Sequence, residues 1–269
     1  MRTTKGYIIL LLLNLLAAPM VIAQGKTVTL DYFFNNEYRK NSAGTLERYH
    51  YTWEDQRSSG YSIWGDVFKK NGAILKSLEN APNAPNLTGT DIYIIVDPDT
   101  KKETANPNYI APRHIKAIAD WVTLGGILVL MANDSANAEL PHLNKLAEKF
   151  GIHFNDDLYK HVIGTRFEMG AITVPVNDPL FKTAKKIYLK DISTLKLSSP
   201  AVPLLTDSDR VIIATAKYGA GTVIAVGDPW LYNEYTNGRL PAAMGFDNDK
   251  AADDLSKWLL SRIPAKAKQ

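Results

Sequence analysis

Apolar and polar positions are distributed along this chain in blocks. Short runs of Val, Ile, Leu and Met, at 28–30, 92–96, 127–131 and 223–226, each break off into carboxylates, amides and rings. The polar bursts are Asp31 to Glu37, Asp97-Pro98-Asp99, Asn133 to Glu139, and Asp228 to Tyr235. Apolar runs of this length bounded by turn residues predict strands buried on both faces, the pattern of parallel sheets. Between them the spacing changes to a helical one. Ile63, Trp64, Val67 and Phe68 predict a helix over 61–70, closed by Asn71-Gly72. Ile115, Ile118, Ala119 and Val122 predict a second over 112–124, with Pro112 in its first turn and Gly125-Gly126 as its stop. A third spans 140–150, and Ala252, Leu255, Leu259 and Leu260 mark the last, from about 248 to about 263.

Strand and helix therefore alternate as β-α-β-β-α-β-α, which predicts an α/β domain with a three-layer, flavodoxin-like, mostly parallel sheet. From about 152 to 205 the pattern shifts to short β-like pieces, read as a β-rich antiparallel extension of one domain covering 24–269. Residues 210–216 and 222–226, joined through Gly219-Ala220-Gly221, predict a hairpin. The stretch 35–59 reads as a long polar-aromatic loop of functional rather than disordered character.

The first residues change the picture. Arg2 and Lys5, the apolar run 7–16 and the small residues before Gln24 make residues 1–23 a signal peptide, too short and too interrupted by Asn14 and Pro19 to remain as a span. Removing it lowers Lys+Arg from 31 to 29 against 28 Asp+Glu, a mature charge near +1. Nothing in that balance calls for nucleic acid or an anionic membrane. The chain has no cysteine, which excludes disulfides, a thiolate nucleophile and thiolate-bound zinc. A periplasmic or secreted protein is expected.

In an open α/β sheet, ligands sit beyond the carboxyl ends of the strands. Asp97, Asp134 and Asp228 follow three different strands and so are expected to converge. Paired carboxylates serve glycoside hydrolysis, and Asp134 with Asp228 or Glu234 is the candidate catalytic pair. The same carboxylates also suit plain turn chemistry, because Asp closes Asx-turns after strands. Trp53, Trp230, Tyr232 and Tyr235 beside Asp99, Asn133, Asn137 and Asn233 suggest an aromatic-lined cleft for sugar faces and hydroxyls. Arg48, Arg57 and Arg239 are the cations near these segments, an Arg fork being the expected clamp if the ligand is a uronate, and His50 is a candidate acid or base. The five histidines lack ligand spacing, so neither metal nor cofactor is expected.

The segments 89–96, 118–130, 218–228 and 248–260 resemble class I glutamine amidotransferase-like domains. Tyr51-Thr52-Trp53-Glu54-Asp55, Asp97-Pro98-Asp99-Thr100 and the stretch from Gly227 to Tyr235 are similar to an exported branch of that superfamily. That branch accompanies, or is fused to, unsaturated rhamnogalacturonyl hydrolases. Such domains place a nucleophilic Cys after a central strand. Here 127–132 exits into Asn133-Asp134-Ser135, so glutaminase chemistry is excluded, and Ser135 lacks the flanking glycines of a serine-hydrolase elbow. The resemblance implies an exported domain that binds or helps process uronate-containing pectic oligosaccharides. An Asp/Glu glycoside hydrolase and a structural partner of a glycan-degrading hydrolase stand as alternatives.

Overall fold

The computed structural model describes residues 25–264. The expected signal segment, 1–23, lies outside the described residues. The chain begins with β1 (Lys26–Asp31), a small hairpin of β2 (Tyr38–Lys40) and β3 (Leu46–Arg48), α1 (Ser62–Lys70), β4 (Ala73–Leu78) and β5 (Ile92–Val96). There follow α2 (Pro112–Thr123), β6 (Ile127–Met131), α3 (Leu140–Ala147), β7 (Ile152–Phe154), β8 (Ala171–Thr173) and β9 (Lys186–Tyr188). The chain closes with β10 (Leu195–Leu197), β11 (Ala201–Asp207), β12 (Arg210–Tyr218), β13 (Gly221–Val226), α4 (Asn233–Asn237) and α5 (Asn248–Arg262).

Nine strands form one sheet in the order β4-β1-β5-β6-β13-β12-β10-β7, with β11 also paired to β12. The first five run parallel, whereas β12, β11, β10 and β7 join antiparallel. Taken in chain order, the parallel strands lie 2-1-3-4-5, so the direction of winding reverses between β1 and β5. The protein is thus a mixed α/β fold with a largely parallel central sheet and added strands.

Alternation along β5 shows why these runs became central strands. Ile92, Ile94 and Val96 pack with Trp64 and Phe68 of α1 and Leu255 and Leu259 of α5. Tyr93 and Ile95 enter the opposite cluster, with Ile118 and Val122 of α2 and Leu143 and Leu146 of α3. Every residue of β5 and β6 is buried, each aliphatic one contributing about 1.5–3 kcal/mol of transfer free energy. Where β7 ends the sheet, Asn144 of α3 substitutes for a further strand. Its Nδ2 donates to the Phe154 carbonyl at 2.9 Å and its Oδ1 accepts from the Phe154 N–H at 2.8 Å, blunting that edge.

Three details differ from the sequence reading. The 35–59 stretch is not one loop but contains the β2–β3 hairpin. The antiparallel extension divides, because β7 and β10 join the main sheet while β8 and β9 form their own pair. The stretch after Asp228 includes α4, five residues long and too short for an apolar period to show. Among the described residues no helix is long and apolar enough to cross a membrane.

The segment 49–61 returns over the carboxyl edge of the sheet as a strap. Tyr51 N–H donates to the Ser59 carbonyl at 2.9 Å, and Tyr61 N–H to that of Thr52 at 2.9 Å. Gly60 sits where this strap turns back, and a Cβ there would lie 1.7 Å from the Asp55 carbonyl oxygen. Gly60→Ala is therefore expected to lower the unfolding free energy by about 2 kcal/mol or more in urea denaturation, as overpacking against backbone does. Gly44→Ala, at φ +78 with open space around the added methyl, is expected to lose only about 1 kcal/mol.

Candidate functional site

Strands β5, β6 and β13 deliver Asp97, Asn133, Asp134 and Asp228 to one edge, and the strap closes over them. Asp97 is 3 % exposed and Asp228 1 %. Asn133 N–H donates to Asp97 Oδ1 at 3.1 Å, and Tyr51 of the strap donates its hydroxyl to Asp97 Oδ2 at 2.6 Å. The Tyr51 hydroxyl also lies 3.1 Å from that of Tyr232, the residue preceding α4. Asp228 Oδ2 accepts from Lys190 N–H at 2.8 Å, while its Oδ1 has no partner. Asn133 Oδ1 and Trp230 Nε1 are likewise buried without partners.

Electrostatics confirm the convergence. Burial drives Asp97 well above the usual carboxylate range, and the nearby Asp228 charge pushes it further. Asp228 is raised to about 8, by burial first and then by Asp191 and Asp134, against the lowering pull of Lys190. Asp99 is raised to about 7 by burial, then by Glu37 and Glu103. Asp31, which sequence reasoning did not assign to the site, is raised to about 6. Its Oδ2 accepts from the Phe34 N–H at 2.7 Å and its Oδ1 from the Tyr93 hydroxyl at 2.5 Å.

The backbone is strained at the same place. His50, Tyr51 and Asp97 have φ of 65, 51 and 32, a region that side-chain-bearing residues enter at a cost of about 1–3 kcal/mol each. His50 stacks on Tyr51 with ring centroids 4.0 Å apart, and its Nδ1 lies 2.6 Å from Glu37 Oε1.

Several expected ligand groups instead hold the fold. Trp230 is fully buried, edge-on to Phe181 at 5.8 Å. Trp53 donates its Nε1–H to the Lys76 carbonyl at 3.0 Å and packs against Trp64. The expected aromatic cleft is thus a packed cluster, because these rings found apolar neighbours beneath the strap. Arg48 donates to the Tyr32 and Asn35 carbonyls at 2.9 and 3.3 Å. Asn233 pins the strap to α4, its Nδ2 donating to the Asp55 and Arg57 carbonyls at 2.9 Å and its Oδ1 accepting from Ile63 N–H. Asp134 accepts from Ala136 N–H and from Asn137 Nδ2, and Asp99 Oδ2 from Asn36 N–H and Thr104. The Asp134 bonds are ordinary turn chemistry, whereas the Asn36–Asp99 bond joins two strand exits distant in the chain.

What stays open lies outside the strap. A depression of about 360 Å³ is lined by Arg39, Glu47, Arg48, Glu54, Asp55, Gln56 and Arg57. A second, of about 380 Å³, includes Gln56, Arg57, Asn233, Glu234, Asn237 and Arg239. Gln56 and Arg57 line both depressions, which therefore neighbour one another on one polar surface, hereafter the groove. Arg57 and Arg239 have side chains 54 % and 46 % exposed, with Glu47 and Glu234 as their ion partners. Of the expected ligand residues, Arg48, Asn233, Glu234 and Arg239 line this groove, whereas Asp97, Asp228 and Trp230 lie buried. Among the described residues no three His, Asp or Glu are placed to hold a metal ion. Sequence reasoning did not assign Tyr51 or Tyr61 to the site. Tyr51 stood in a conspicuous aromatic run, but no spacing rule says its hydroxyl reaches Asp97.

No protein-family model matches the chain, and no curated protein matches it in sequence. Among solved structures the mmIFT52 N-terminal domain is similar at TM-score 0.64 and 16 % identity, covering 91 % of this chain and 100 % of that one. The cytoplasmic protein STM1381 from Salmonella typhimurium LT2 is similar at TM-score 0.55 and 14 % identity, covering 89 % and 100 %. The cytoplasmic protein STM3548 from Salmonella typhimurium gives TM-score 0.55 and 14 % identity, covering 88 % and 97 %. These likenesses concern the fold alone. They correct the resemblance drawn from sequence, since the neighbours are not glutamine amidotransferase-like domains. The wider likeness rested on strands and helices that many α/β sheets share, and its more specific pieces, 51–55, 97–100 and 227–235, fall in the strap and the strand exits.

The raised carboxyls set a pH dependence. A carboxyl whose pKa rises on folding contributes most below its unfolded value, near 4. That contribution is lost as pH climbs to the folded value, because the unfolded chain ionises first. For Asp228 the window runs from the ordinary value of 3.8 to about 8. Each such group tilts stability by up to about 1.4 kcal/mol per pH unit inside its window. Asp228→Asn is thus expected to be more stable relative to the parent at pH about 8 than at pH about 5, read by urea midpoints. An equal difference at both pH values would contradict the burial of an ionisable Asp228.

Proposed function

We propose that the chain is an exported, saccharide-binding domain whose ligand is polyhydroxylated and acidic, held in the polar groove that meets at Gln56 and Arg57. The observation that carries the reading is that groove. Its two depressions meet at Gln56 and Arg57 in their linings, and it offers exposed guanidinium groups from Arg57 and Arg239 beside amide and carboxylate partners. Guanidinium forks suit uronate carboxylates, and the Glu234, Asn237 and Gln56 side chains suit sugar hydroxyls. The parallel strand order and the helices on both faces support a three-layer, flavodoxin-like reading of the fold, with the groove beside its carboxyl edge. The specifically pectic identity of the ligand rested on the overturned resemblance and is not carried forward.

Binding is favoured over hydrolysis by the burial of the carboxyl pair. An acid/base pair must reach the glycosidic oxygen, yet Asp228 and Asp134 are 1 % and 8 % exposed.

Calorimetry with a uronate trisaccharide and a neutral trisaccharide of equal length tests the assignment. The acidic ligand is expected to bind at least about tenfold tighter, with affinity falling as salt rises. Arg57→Ala and Arg239→Ala are each expected to weaken it by about tenfold, since each removes a charge-assisted hydrogen bond. Equal affinity for both sugars, or release of reducing ends that Asp228→Asn abolishes, would overturn the reading.

A further inference from the structure

Beneath the groove lies a set of buried hydroxyls and carboxyls that the binding assignment does not use. Tyr51 belongs to the strap and Tyr232 immediately precedes α4, so these residues come from the two walls of the groove. Their hydroxyls lie 3.1 Å apart, and Tyr51 lies 2.6 Å from Asp97 Oδ2. Either hydroxyl is able to donate to the other. Beyond Tyr232 sits Asp228, whose charge is the first that this phenol feels, and whose Oδ1 is buried without a partner.

We propose that Asp97, Tyr51 and Tyr232 form a proton switch in which one proton on Asp97 reverses the direction of the whole hydrogen-bond chain. With Asp97 ionised, Tyr51 donates to the carboxylate and Tyr232 donates to Tyr51. With Asp97 protonated, the carboxyl O–H donates to Tyr51 and Tyr51 donates to Tyr232. The Tyr232 O–H is then freed to turn toward Asp228. No phenol loses its proton in either arrangement; only donors and acceptors exchange roles. Asp97 Oδ1 keeps its Asn133 N–H in both, so the carboxyl stays fixed while the chain reverses.

In both arrangements the Tyr51–Tyr232 hydrogen bond ties the strap to the residue that precedes α4. What the proton on Asp97 changes is whether the Tyr232 O–H is used on Tyr51 or is free for Asp228. The charged and titratable groups facing this chain are Asp228, Glu103 and Tyr61 around Asp97 and Tyr232. Lys190, Asp191 and Asp134 face Asp228, and His50 stacks on Tyr51. Burial, and then the charge of Asp228, raise Asp97 well above the usual carboxylate range, which favours the protonated arrangement over the ionised one relative to an exposed carboxyl. The switch is a property of the buried chain, and its test needs no saccharide. It therefore stands or falls separately from the ligand assignment.

Carbon-13 NMR of the protein labelled at the Asp carboxyls and the Tyr ζ-carbons reads the switch across pH about 5 to about 10. The ζ-carbons of Tyr51 and Tyr232 are expected to move together with the Asp97 carboxyl, without the large shift that phenolate formation gives. In Asp97→Asn the Tyr51 ring carbon should stay still over that range, and Tyr232 should follow only Asp228, whose charge acts on it. In Tyr51→Phe, which keeps the ring, Tyr232 should cease to follow Asp97. In Tyr232→Phe the Asp228 midpoint should rise by about half a pH unit or more, because its available donor is gone. The proposal is overturned if Tyr232 is silent while Asp97 titrates, or if Tyr232 still follows Asp97 in Tyr51→Phe.

Discussion

Carboxyl groups sealed against water at the end of a parallel sheet are the constraint on which the rest of this structure depends. An ionised carboxylate is held in such a place only by hydrogen-bond donors or a cation, and otherwise it keeps its proton. Here the donors are the Asn133 and Lys190 amides and the Tyr51 hydroxyl, and no side-chain cation bonds Asp97 or Asp228 directly. The strap must close to supply Tyr51, and it closes only because Asn233 holds its backbone and Gly60 lets it pass close to Asp55. The strained φ values at His50, Tyr51 and Asp97 lie at the same closure. Strap, α4 and carboxyl edge are accordingly one interdependent unit.

That unit separates two surfaces that a reading of strand exits would merge. The buried layer is a network of shared protons, and the exposed layer is a groove of guanidinium and amide groups. Tyr232 connects them, since it precedes the helix that walls the groove while its hydroxyl belongs to the network.

Much of the scaffold was legible in the chain because its signals are local. The apolar runs 92–96 and 127–131 became β5 and β6, and the spacing of Ile118 and Val122 became the buried face of α2. The convergence of Asp97, Asn133, Asp134 and Asp228 was also readable, since strands of one parallel sheet end at one edge. Their burial was not. Whether Trp230 meets a ligand or Phe181 depends on where the chain 180 to 189 folds back, which no periodicity records. Asn233 looked like a ligand amide for the same reason. Its four hydrogen bonds reach residues more than 150 positions away in the chain. The wider family resemblance failed on similar grounds, because the strand and helix segments behind it report the architecture rather than the lineage.

Carboxyl footprinting addresses the central claim most directly. Carbodiimide coupling of the folded protein near neutral pH, read by peptide mass spectrometry, compares Asp97 and Asp228 with Asp66, whose side chain is 74 % exposed. Asp66 is expected to label readily, with Asp97 and Asp228 remaining unmodified until the strap is released by denaturant. Labelling of Asp97 or Asp228 in the native protein at the rate of Asp66 would show an open carboxyl edge and contradict the account.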